Sequence, residues 1–183
     1  MRIQLARINQ MQGRDSRLKR LAESIEALAE KDERRQEHAR EIANLRRRAA
    51  TELHAICADF VVSLNRLLSR SEVGLDPPVF AEDALREEEP NLIQINARGR
   101  ILQIEFTAVA ELVSTEDFRI PYTMKGSVRA FNQALLDKDL IEEQLLFYTL
   151  EKEKKLWRFF DSRTYRSGPF DQEYLVTVME QLL

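Results

Sequence analysis

The sequence is poor in the residues that mark several common kinds of chemical site. Its 183 residues include one cysteine, five glycines and two histidines. A single cysteine, Cys57, cannot form a disulfide within the chain, which fits a reducing compartment. The few glycines form no phosphate-binding loop, and no metal-hydrolase, Ser-His-Asp or paired-carboxylate motif occurs with supporting context. These absences disfavour an enzyme, and the sequence predicts no cofactor.

Long apolar runs are also absent from the sequence. No uncharged apolar stretch approaches the ~20 residues needed to span a bilayer, so we expect no membrane partner. The N-terminal segment MRIQLARINQ lacks the continuous apolar region of a secretory signal. We therefore expect a cytoplasmic protein.

Neither sign of charge is in large excess. The chain has 28 basic residues and 31 acidic residues, which gives a net charge of −3. Residues 14–71 hold 13 basic and 10 acidic side chains, whereas residues 72–91 hold seven acidic side chains and a single basic one, Arg86. This balance argues against a protein built mainly to coat nucleic acid or an anionic membrane.

The stretch 14–71 contains no glycine and no proline, and it predicts one long helix. Within it, four apolar residues recur at steps of three, four and three, which is the spacing of a narrow coiled-coil seam. These residues, called the apolar seam below, are Leu18, Leu21, Ile25 and Leu28. The same register then reaches Asp32, Arg35 and Arg46, so charge interrupts the predicted seam.

The apolar stripe widens over residues 53–68, which is typical of a helix that lies on a globular core. At ~1.5 Å per residue the whole helix would be ~85 Å long, which is too long for a domain of this size. We therefore expect its N-terminal half to project and pair with another helix, or to fold back at the charged centre. Gly74 is expected to end the helix.

After a predicted connecting loop at residues 75–91, the apolar period changes to two, which predicts β-strands. Short turns are expected to divide this part into about six strands, most simply an antiparallel meander. The predicted turns are Arg98-Gly99, Lys125-Gly126 and residues 151–155.

Pro121 lacks an N–H group and favours a sheet edge for its strand. Residues 172–183 are amphipathic and follow Asp171, whose side chain suits a helix N-cap. The predicted fold class is α+β, with a long coiled-coil-like N-terminal helix, an antiparallel β-meander and a C-terminal helix. The predicted domains are a projecting helical arm over 1–48 and a globular domain over 49–183.

His54 and Cys57 lie three residues apart on the predicted helix, a spacing that allows two ligands for one metal ion. Zinc usually takes three or four protein ligands, and the sequence has no second pair of this kind. We therefore interpret Cys57 as a core residue beside a surface or rim histidine.

Two basic segments are candidate contacts for nucleic acid. One is a run of three arginines on the long helix, whose side chains fan around the helix axis. The other mixes basic and aromatic residues on the last predicted hairpin, where rings beside cations could stack on bases. The candidate residues are Arg46, Arg47, Arg48, Lys152, Lys154, Lys155, Arg158, Arg163 and Arg166.

Three functional hypotheses follow from these patterns. In the favoured one, the chain is a non-catalytic protein that self-associates through the apolar seam and presents its β-rich domain. Its partner would be a second copy, most simply in a dimer, or another helical protein. The alternatives are a nucleic-acid-binding protein, and an enzyme or small-ligand protein with a pocket near residues 75–91.

Overall fold

The computed structural model describes residues 2–113, 120–131, 142–151 and 154–183, with side chains for 14–110, 120–131, 143–151 and 154–183. In chain order its elements are α1 (Arg2–Asn65), β1 (Gly74–Asp76), a short 3-10 helix (Glu82–Ala84), β2 (Asn91–Ala97), β3 (Arg100–Val113), β4 (Tyr122–Phe131), β5 (Glu142–Leu150), β6 (Lys155–Asp161), β7 (Arg166–Pro169) and α2 (Gln172–Leu182). The α+β class, the long first helix and the C-terminal helix are confirmed. The chain divides into two compact units, Met1–Ala43 and Asn44–Leu183.

The first unit is entirely helical where it is described. Every side chain from Arg14 to Glu41 is exposed, so these side chains contribute no core of their own. Exposed pairs such as Glu30 and Arg34, whose charged atoms are 3.3 Å apart, stabilise a helix by only ~0.2–0.5 kcal/mol. Helices in proteins owe most of their stability to packing along one face, and the side chains from Arg14 to Glu41 show no such packing.

The second unit is built on a seven-stranded antiparallel sheet in which the strands follow one another in sequence order. This arrangement confirms the predicted meander. The strand count is seven rather than about six, because the short outer strands β1 and β7 were not predicted and two predicted strands are one. The predicted hairpin turns at Arg98-Gly99 and between Leu150 and Lys155 are confirmed.

Lys125-Gly126 is not a turn, which corrects the prediction. Both residues lie within β4, where Gly126 pairs with Phe106 of the neighbouring strand. A Cβ atom at Gly126 would overlap the carbonyl oxygen of Glu105. The glycine is therefore required by the close approach of two backbones and not by a change of chain direction.

Pro121 does not mark a sheet edge, because its strand β4 is the central strand of the seven. The residue precedes the first residue of β4, so its missing N–H group leaves no gap in the ladder. Its carbonyl oxygen accepts a hydrogen bond of 2.8 Å from the backbone N–H of Leu150.

Helix α1 ends at Asn65, several residues before the predicted end at Gly74, which instead begins β1. The Asn65 side chain donates to the Val73 carbonyl at 2.9 Å and accepts from the Val73 N–H at 2.8 Å. One side chain thereby satisfies both backbone groups of a residue that follows the helix. The predicted loop at 75–91 contains the end of β1 and the short 3-10 helix.

The core lies between one face of the sheet and the two helices. The wide stripe of α1 is buried there as far as Val61, and the burial extends to earlier turns. The predicted stripe does not continue to residue 68, because α1 ends at Asn65 and Leu67 is 84% exposed. Asp171 caps α2 as predicted, accepting from the Tyr174 N–H at 3.0 Å. The buried residues of the two helices are Leu45, Ala49, Ala50, Leu53, Cys57, Phe60, Val61, Tyr174, Leu175, Met179 and Leu182.

Candidate functional site

The apolar seam is a row of large hydrophobic side chains in contact with water. Leu18, Leu21, Ile25 and Leu28 are 53%, 56%, 58% and 60% exposed. Residues three and four apart are neighbours on one side of a helix, so the four side chains form one continuous stripe. Single surface leucines are common on soluble proteins, whereas these four large apolar side chains form an ordered and exposed stripe.

The residues beside the apolar seam differ between its two flanks. Ala22 and Ala29 lie on one flank and leave room for a close neighbour, whereas Arg17 and Lys31 lie on the other. Acidic residues spaced seven apart occupy the opposite face of the helix. These are Glu23, Glu30 and Glu37. The helix is therefore apolar on one narrow side and strongly charged on the side that faces away.

The seam register is charged at both of its ends. Arg14 lies one helical step before Leu18, and Asp32 lies one step after Leu28; both charged side chains are exposed. The sequence predicts Asp32 only as an interruption of the seam, and Arg14 was not among the predicted seam positions. Both residues continue the three-and-four spacing of the apolar seam. The sequence alone could therefore have indicated them as candidate contacts to a partner helix.

Arg46 is held inside the second unit and is not available as a nucleic-acid contact. Its Nε donates to Thr123 Oγ1 at 3.1 Å and its Nη1 donates to Glu87 Oε2 at 2.9 Å. Its Nη2 donates to the carbonyl oxygen of Val109. The side chain is only 13% exposed, so this guanidinium joins α1 to two strands and to the acidic segment before β2.

The next two arginines of the run, Arg47 and Arg48, are exposed. The run therefore contains one structural arginine and two solvated ones, and it does not form a single basic patch.

The basic residues of the last hairpin are divided between several environments. Arg158 forms an ion pair of 3.1 Å with Glu151, and Arg163 Nε lies 3.7 Å from Asp161. Trp157 and Phe160 are buried and so cannot stack on bases. The remaining candidates are Lys154, Lys155 and Arg166, which are exposed, and Lys152, which lies outside the described residues.

Cys57 is fully buried, which confirms its interpretation as a core residue. Burial raises the pKa of its thiol to about 12, so it is protonated at neutral pH. His54 is buried too, which corrects its predicted place at the surface or rim. Its Nε2 donates to the Pro77 carbonyl at 2.7 Å, and its ring stacks on Phe80 at a centroid distance of 6.0 Å.

These contacts explain His54 as a residue that attaches the segment after β1 to α1. In the part of the chain that the structure describes, no group of three or more His, Cys, Asp or Glu side chains could hold a metal ion.

A cavity of about 450 Å³ lies between α2 and strands β4 to β7. Polar side chains that line the cavity form hydrogen bonds with one another. The Tyr174 hydroxyl donates to Gln144 Oε1 at 2.7 Å. Asp161 accepts from the Arg163 N–H and from the Thr164 hydroxyl, each at 2.9 Å. None of its described lining residues comes from 75–91, the segment where the sequence suggested a pocket.

Among the described residues, no helix has a stretch long and apolar enough to cross a membrane. No protein-family model, curated protein or solved structure matches the chain.

Proposed function

We propose that the chain is a non-catalytic protein that self-associates through the apolar seam and thereby presents its α+β unit in more than one copy. The observation that supports this proposal is the ordered exposure of four large apolar side chains, each between 53% and 60% exposed. A dimer is the simplest closed assembly that would cover such a stripe.

The proposal also agrees with the energetics of a long helix. Fully burying a leucine or isoleucine side chain stabilises a structure by ~1.5–3 kcal/mol, so covering the exposed half gains about 1 kcal/mol for each residue. A pair of helices gains this term from both copies. The helix before Asn44, which has no core of its own among the described side chains, would obtain its missing packing in this way.

Light scattering of the full chain and two point variants tests the proposal. The unmodified chain is expected to have the mass of an oligomer, most simply of two chains. Leu21→Asp places a charge in the apolar seam and is expected to give the mass of one chain. Ala27→Asp introduces the same residue on an exposed position away from the seam, so it controls for charge and helix propensity and should leave the oligomer intact. A monomeric mass for the unmodified chain at high micromolar concentration would refute self-association.

The two alternative hypotheses have less support. Arg46 and Arg158 are engaged by Glu87 and Glu151, and Trp157 is buried, so the residues suggested for nucleic acid supply little joint contact surface. The suggestion of a ligand pocket beside residues 75–91 has no observation behind it in the described chain. The described residues therefore favour self-association over both alternatives.

A further inference from the structure

The charges at the two ends of the apolar seam distinguish between the ways in which two copies can pair. In heptad terms, Leu18 and Ile25 occupy a positions, and Leu21 and Leu28 occupy d positions. A pairing must bring these four residues together across the interface. It also determines which residue of the second helix lies opposite each charged residue that continues the same register.

A parallel pairing in register sets each residue against its own copy. The four apolar layers would then be satisfied. Beyond them, however, Arg14 would face Arg14, Asp32 would face Asp32, and Arg35 would face Arg35. Three layers of like charge along one interface disfavour this arrangement.

An antiparallel pairing joins a positions of one helix to d positions of the other. With the two-fold axis beside Glu23, Leu18 of one protomer lies opposite Leu28 of its partner. Leu21 lies opposite Ile25 in the same way, so all four residues of the apolar seam are paired without a gap.

The same register brings the end charges together as complements. Arg14 of one protomer falls opposite Asp32 of its partner, and the two-fold axis repeats the pair at the other end. We propose that two copies of this chain associate as an antiparallel pair of helices centred on Glu23. This proposal rests on the self-association proposed above and specifies its geometry.

A second antiparallel register, displaced toward the C-terminal end of the seam, would place Asp32 opposite Arg35. That register sets Leu18 against Ala49, which is fully buried in the second unit and unavailable to a partner helix. The register centred on Glu23 instead pairs the seam and its end charges within residues 14–32, all of which are exposed.

Two features oppose the proposed register. It sets Arg35 opposite Met11, so this arginine gains no partner of opposite charge, although it no longer faces its own copy. Arg17 and Lys31 meet on the same flank, where their long side chains can separate into solvent, so the penalty is small. On the other flank Ala22 meets its own copy beside the two-fold axis. A small residue at that point permits the close approach of the helices.

Distances between spin labels on the outer face of the helix test the orientation directly. Glu23, Glu30 and Glu37 all point away from the apolar seam and are exposed, so each can be replaced by a labelled cysteine in a Cys57→Ala background. In the antiparallel pair the axial separation of the two labels is near zero at Glu23. It grows to about 21 Å at Glu30 and about 42 Å at Glu37, since each residue adds about 1.5 Å on both helices.

A parallel pair predicts the same label distance at all three positions. That result would overturn the proposed orientation and leave self-association intact. The absence of any intermolecular distance, together with a monomeric mass, would instead remove the proposed function as well.

A charge exchange provides an independent readout that keeps Cys57. In the antiparallel pair, Arg14→Asp and Asp32→Arg should each weaken the dimer about tenfold, because each creates two like-charged contacts. The double variant restores opposite charges across the interface and should return the dissociation constant to within about threefold of the original. Failure of the double variant to recover would contradict the pairing of these two residues.

Discussion

Arg46 offers the sharpest test of how the second unit is held together. Its guanidinium donates to Thr123, to Glu87 and to the Val109 carbonyl, and it is 13% exposed. Replacing it with methionine keeps most of the apolar stem and removes the donors. The change therefore isolates the polar contacts from the packing of the side chain.

The expected cost follows from the groups that lose their donor. The Thr123 side chain is buried, and its hydroxyl and the Val109 carbonyl would each be left without this donor in a part of the fold with little access to water. Leaving a buried polar group unsatisfied costs ~1–3 kcal/mol. Glu87 is 36% exposed and can turn to solvent, so its share is smaller. We expect Arg46→Met to lower the free energy of unfolding by about 3 kcal/mol.

Urea denaturation of Arg46→Met and of Arg47→Met provides the comparison. Arg47 is the next residue of the same helix, carries the same charge and is exposed, so its replacement should cost less than about 0.5 kcal/mol. The slope of the free energy with urea concentration should be the same in both variants, since the folded unit is retained. Equal losses in the two variants would refute the structural role of Arg46.

Two further predictions concern the core. Phe60 is 5% exposed, so Phe60→Ala should lower the free energy of unfolding by about 3–5 kcal/mol in chemical denaturation. The same change at Leu67, which is 84% exposed, should cost less than about 0.5 kcal/mol, and a similar loss at both sites would contradict the burial of Phe60. Cys57 should not react with a thiol reagent in the native chain at neutral pH and should react fully in denaturant. Prompt reaction of Cys57 in the native chain would contradict its burial. Burial also raises its pKa from 9.0 to about 12, so only the unfolded thiol ionises just above pH 9.0. The free energy of unfolding should therefore fall as the pH rises above 9.0.

The features that sequence predicted well are those encoded by neighbouring residues. The apolar periods of α1 and α2, the cap at Asp171 and the turn at Arg98-Gly99 depend on side chains within a few positions of one another. The spacing of the apolar seam is local in the same sense, although its exposure is apparent only from the structure.

The features that sequence missed depend on residues far apart in the chain. Lys125-Gly126 has the composition of a turn, which explains the wrong prediction. The real reason for a glycine at position 126 is the nearby backbone of Glu105, about 20 positions earlier in the chain, which local sequence cannot reveal. Arg46 and Thr123 are 77 positions apart, so nothing near Arg46 distinguished it from the arginines that follow it. The short strands β1 and β7 form only by pairing with longer neighbours, and their own sequences carry too few residues to show a period.

Trp157 is the single tryptophan of the sequence, and it lies in the second unit, where it is almost fully buried. Its Nε1–H group donates to the Ala49 carbonyl at 2.7 Å, and its ring meets Phe106 and Tyr148 at centroid distances of 5.9 Å and 5.4 Å. Tryptophan fluorescence therefore reports the unfolding of the second unit alone. Far-UV ellipticity, in contrast, is dominated by the 64 residues of α1, which extend through the first unit. Recording both signals on one sample separates the two units without cutting the chain, and a dependence on protein concentration that affects only the ellipticity would belong to the first unit.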